Sequence, residues 1–141
     1  RFAPARTAYQ RLDATLALAH WRMMLKGRED IASPDAIAKA EALMRRCGNA
    51  RTTAGKEIVV RPMGPLADLF EIWSNRPLYD ASRVSTPTLV VAGDRDVFAD
   101  RALAGKLPNA TDLVIPDATH WVPFETKRDV LFRATREFLS R

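Results

Sequence analysis

One cysteine and two histidines in 141 residues remove two chemistries at once. A lone Cys47 cannot form an intrachain disulfide, and two histidines beside one thiol make no zinc cluster. Apolar runs are short. Nowhere do about 18 apolar residues follow one another, and no signal-peptide pattern opens the chain, so the expected setting is soluble and cytoplasmic, without a membrane span. The six glycines form no phosphate cradle and no dinucleotide fingerprint, which leaves no expected nucleotide cofactor. No repeat or low-complexity segment is visible. The chain opens Arg1-Phe2-Ala3-Pro4 without Met, which fits cleavage, processing or an excerpt of something longer.

Charge excludes less. The balance is 22 basic against 17 acidic residues, net +5, which can signal nucleic acid. Here the basic residues are spread along the chain, with no glycine-rich or aromatic RNA-binding signature, so a solvated surface is the expected use of them. An apolar content of 47% can fill the core of one domain.

Residues 86–125 organise the rest. Pro87-Thr88-Leu89-Val90-Val91-Ala92 is a compact, β-branched run closed by Gly93 and the acidic loop Asp94-Arg95-Asp96. Asp112-Leu113-Val114-Ile115 is a second run, closed by Pro116 and followed by Asp117-Ala118-Thr119-His120. Unbroken apolar runs predict strands covered on both faces, as in a parallel sheet. With a short helix over 99–107 between them, the order is strand–helix–strand. Chemistry in such sheets gathers at the carboxyl ends of the strands, where Asp96 and His120 fall.

Upstream, Leu12, Leu16, Ala19, Met23 and Met24 recur at three- and four-residue steps and predict a helix over 7–26, ending at Gly27. Ser33-Pro34 predicts the capped start of a second helix, with Ile37, Ala40, Leu43 and Met44 inward and Gly48 as its stop. Residues 51–55 read as a loop and 57–61 as a short strand or extended connector. Residues 66–74 read as a helix with Leu66, Leu69, Phe70 and Trp73 on one side. A polar link over 75–85 follows, with a boundary near Asp80.

PTLVVAGDRD (87–96) followed by LVIPDATHWVPFE (113–125) resembles the last two strands of an α/β-hydrolase, and 127–139 resembles that family's final helix. The likeness covers about 60 residues closely. It implies an α/β fold in which 1–80 is a helical lid and 81–141 the C-terminal part of the core, with the front strands outside this chain. It also implies a hydrolase of ester, thioester or amide type, in which a Ser/Asp/His triad takes its acid from Asp96 and its base from His120. The family's nucleophile elbow, G-x-S-x-G, is missing: none of Ser33, Ser74, Ser82, Ser85 and Ser140 has glycines two residues away on both sides. The nucleophile, Ser or Asp, would then lie on an N-terminal portion or a companion chain. A different class stays open, a non-catalytic binding or assembly subunit that keeps the end of the fold, and so does a self-contained α+β module.

Each site residue has a plain alternative. His120 could cap a turn beside Trp121, and Trp21's neighbour His20 is read as a surface or core residue rather than a catalyst. Asp96 competes with Asp94, which suits bonding backbone amides, with Asp100, which suits starting a helix, and with Asp117, which suits the turn after Pro116. Trp121 and Phe124 flank His120 and Phe98 follows the acidic loop, and the family's lid would bring Trp21, Phe70 and Trp73 over an apolar pocket. The expected substrate is a small apolar acyl or aromatic molecule.

Overall fold

The computed structural model describes residues 7–16, 18–47 and 50–141. Helices and strands are mixed, and the chain divides into two compact units. One comprises Arg1–Leu18 and Glu41–Asp80, the other Ala19–Ala40 and Ala81–Arg141. One change of unit follows Asp80, and residues 19–40 group with the C-terminal half.

The first unit holds a three-stranded antiparallel sheet, in the order β1-β3-β2, from β1 (Tyr9–Asp13), β2 (Arg51–Thr53) and β3 (Lys56–Pro62). This corrects the helix expected over 7–26: its first part is strand, then a 3-10 turn at Ala14–Leu16, and only α1 (Ala19–Leu25) is helical. Leu12 and Leu16 fit a helical period, but ladder bonds to β3 decide the outcome, with Leu12 opposite Val59 and Tyr9 opposite Pro62. The supposed loop at 51–55 is β2 plus a two-residue turn. Ala54 and Gly55 both take positive φ, 49° and 75°, which is the backbone of a tight hairpin whose twist matches its strands. The upstream segment, read as a helical lid with a short strand or connector over 57–61, holds three strands beside its helices, and β3 covers that stretch. Val59 and Met63 are buried, whereas α3 (Gly64–Trp73) buries no residue completely and leaves Leu69 and Trp73 exposed.

In the second unit, β4 (Thr88–Gly93) and β5 (Ala110–Ile115) pair in parallel, Thr88 opposite Ala110 and Gly93 opposite Ile115. The short α4 (Leu103–Lys106) lies between them in sequence and α5 (Arg128–Leu139) closes the chain. Ile115, Ala118 and Val122 form a buried cluster against Val91, Leu113, Val130 and Leu131. The expectation that both strands are covered on both faces is not met. Only Gly93 and Ile115 are buried, and Val114 is 47% exposed.

The helix α2 (Pro34–Cys47) begins where Ser33-Pro34 placed it, with Ser33 Oγ accepting the Ala36 amide at 3.1 Å. Ala40 is buried and Ile37 half-buried, but Leu43, expected inward, is exposed. Gly48 lies outside the described residues. No helix among those described is long and apolar enough to cross a membrane.

Candidate functional site

The parallel register brings the two loops together. Because Gly93 and Ile115 are opposite one another, the chain leaves both strands at the same edge, and backbone bonds continue past the ladder. The Asp94 amide donates to Ile115 O and the Arg95 amide to Ala118 O, each at 2.9 Å. Gly93 makes this approach possible: a Cβ there would stand 2.2 Å from Ala118 O and 2.6 Å from Thr119 O. Both are backbone atoms, which no rotamer change can clear.

At this edge His120 Nδ1 lies 2.9 Å from Asp96 Oδ2. The Asp96 side chain is 7% exposed and that of His120 54%. Asp96 Oδ1 accepts the Phe98 amide at 2.8 Å, so both carboxylate oxygens are engaged and the acid is fixed in place. A carboxylate at Nδ1 selects the tautomer with the proton on that nitrogen, leaving Nε2 with its lone pair free. That is the form a general base needs. The Phe98 ring meets both His120 and His20 edge-on, each with ring centres 5.4 Å apart.

The competing acids have other work. Asp94 Oδ1 accepts the Ala118 amide at 3.2 Å, and Asp100 Oδ1 accepts the Ala102 amide at 2.9 Å while pairing with Lys106. Asp117 adopts a φ of 52° and pairs with Arg28 at 2.5 Å. Arg28 also grips Asp30, and its bonds hold both carboxyls below their ordinary range.

A buried carboxylate stands behind the histidine. Glu125, 2% exposed, accepts the Thr119 amide at 2.8 Å, the Thr119 hydroxyl, and the Trp21 indole N–H at 2.9 Å. It thereby fixes the backbone one residue before His120 and ties it to α1. Sequence reasoning passed over Glu125 and Thr119; the available signal was an acid directly after the apolar stretch Trp121-Val122-Pro123-Phe124.

Of the aromatic residues proposed for a pocket, Trp21 is fully buried and stacks on Trp121 at 5.4 Å, and Phe98 lies against His120. Phe70 and Trp73 belong to α3 in the other unit. Trp121 Nε1 is buried without a hydrogen-bond partner among the described residues. No group of three His, Cys, Asp or Glu among those residues is placed to hold a metal ion. Comparison of the chain with protein-family models, curated proteins and solved structures found no match.

Proposed function

We propose that this chain is the C-terminal portion of a serine-type α/β-hydrolase, with His120 as general base and Asp96 as its orienting acid. The observation that carries the reading is the 2.9 Å contact between His120 Nδ1 and a carboxylate that is itself immobilised. In the implied reaction a serine from a longer chain or a companion gives its proton to Nε2 and attacks an acyl carbon. His120 returns that proton to the leaving group, and water then hydrolyses the acyl-enzyme by the same route reversed. Asp96 keeps the imidazole in register and stabilises its charged form. Phe98 and Trp121, beside the pair, favour a small apolar acyl or aromatic substrate over a charged one. The half-covered faces of β4 and β5 favour further sheet next to them, as a complete hydrolase core would provide.

The test is native isolation followed by fluorophosphonate labelling and hydrolysis of a short p-nitrophenyl ester. A labelled serine on a continuing or companion polypeptide, with hydrolysis abolished by His120→Ala, supports the reading. A companion without a nucleophile would instead indicate a binding or assembly subunit. A lone, folded, unlabelled monomer of 15.8 kDa would overturn the split-hydrolase account.

A further inference from the structure

The outer face of the three-stranded sheet does not follow the usual alternation of an antiparallel sheet with one solvated side. Ile58-Val59-Val60 is an unbroken β-branched run, so β3 presents apolar side chains to both faces. Val59 points inward and is 5% exposed. Ile58 and Val60 point outward and are only partly covered, with Val60 at 36%. Cations surround them. The register places Arg11 opposite Val60, Arg51 opposite Ile58, and Lys56 opposite Thr53, all on this face because side chains alternate along each strand.

Arg11, Arg51, Thr53, Lys56, Ile58 and Val60 line a groove of about 580 Å³, within the range of small-molecule sites. None of the three cations forms an ion pair among the described residues. One acid shares the face: Asp13, opposite Ile58, accepts the Thr15 amide at 3.0 Å and its hydroxyl at 2.7 Å on one carboxylate oxygen. These bonds, with the charge of Lys56, hold its carboxyl below the ordinary range, so it offsets one of the three cations. Three cations against one carboxylate leave an excess of positive charge beside β-branched surface that stays in water. An anion with an apolar body relieves both.

We propose that this face binds an amphiphilic anion, a carboxylate or phosphate head on a short hydrocarbon body. Arg11, Arg51 and Lys56 take the head, Thr53 donates its hydroxyl, and Ile58 and Val60 take the hydrocarbon. Arginine's planar fork suits either head group. This site is separate from the His120–Asp96 pair and does not depend on the hydrolase reading.

The test is amide NMR titration of the 141-residue protein with decanoate and with decyl phosphate, each below its micelle-forming concentration. Decanol, acetate and inorganic phosphate serve as probes of the separate halves. Saturable binding, with shifts centred on β2, β3 and Arg11, is expected for one or both amphiphiles, and the tighter of the two identifies the head group. The double variant Arg11→Gln/Arg51→Gln weakens binding about tenfold, as does a rise to high salt. Ile58→Thr keeps β-propensity, so the sheet persists while the hydrocarbon contact is reduced and binding weakens. Decanol binding as tightly as decanoate, shifts spread evenly over the molecule, or a double variant of unchanged affinity would each overturn the proposal.

Discussion

Trp21 donates its indole N–H to Glu125 at 2.9 Å across 104 positions of sequence, which makes one buried carboxylate the joint between α1 and the loop of His120. Removing it strands three donors, two of them on fully buried Thr119. Glu125→Ala is expected to cost about 3 kcal/mol, and Trp21→Phe, which removes one donor and keeps most of the ring, about 1–2 kcal/mol. Urea denaturation monitored by tryptophan fluorescence measures the first, and far-UV circular dichroism both. A loss under about 1 kcal/mol for Glu125→Ala would show that the network is not structural.

Gly93→Ala is expected to be among the most damaging single substitutions. The added methyl would overlap the carbonyl of Ala118, and the parallel register prevents either strand end from withdrawing. A loss above about 3 kcal/mol should accompany amide shifts spread over 94–98 and 116–121. A variant with wild-type spectra in those loops would contradict the close approach.

Asp96→Asn preserves size and removes the charge. With its oxygen held by the Phe98 amide, the new side chain turns its NH2 toward His120 Nδ1, which must then accept, so the ring proton moves to Nε2. Nitrogen-15 shifts of the ring at neutral pH report this directly, with Nδ1 protonated in the wild type. If the hydrolase reading holds, the same change lowers turnover of the assembled enzyme by about 10³- to 10⁴-fold.

Acid sensitivity should pass through Arg28. Its hydrogen bonds depress the carboxyls of Asp117 and Asp30 relative to the unfolded chain. A depressed folded value means stabilisation present above the unfolded carboxylate range and lost as pH falls through the folded one. The stability difference between wild type and Arg28→Gln should therefore hold from neutrality to about pH 5 and close below about pH 4. A difference that persists at lower pH would show that Arg28 acts through packing of its stem instead.

The hairpin between β2 and β3 leaves room for improvement. Ala54 sits at a φ of 49°, where alanine is strained and asparagine is better tolerated because its short polar side chain bonds the local backbone. Ala54→Asn is expected to stabilise the protein by about 1 kcal/mol, read as a higher urea midpoint. No gain would mean that the hairpin does not limit stability.

The readable parts of this chain are those governed by neighbours in sequence. β-Branched density gave β4 and β5, Ser33-Pro34 gave the start of α2, and the acid and base were found from their places just after two apolar runs. The error over 7–26 has the opposite cause. Tyr9 to Asp13 is strand because β3, more than 40 positions away, offers it a ladder, and a periodicity shared with helices cannot report that. Leu43 was assigned inward for the same kind of reason and is exposed.

What the sequence by itself determined is local: which runs extend, where α2 begins, which loops hold acid and imidazole, and that a serine elbow is not among these residues. Tertiary structure decided everything that needs two distant segments at once. Parallel register at Gly93 and Ile115 aligned Asp96 with His120, a carboxylate five residues past the histidine fastened its loop to Trp21, and antiparallel pairing gathered Arg11, Arg51 and Lys56 on one face. The physical reason is that each of these depends on the entropy of closing a long loop being outweighed by hydrogen bonds and burial gained at its ends, a balance that no single stretch of sequence contains.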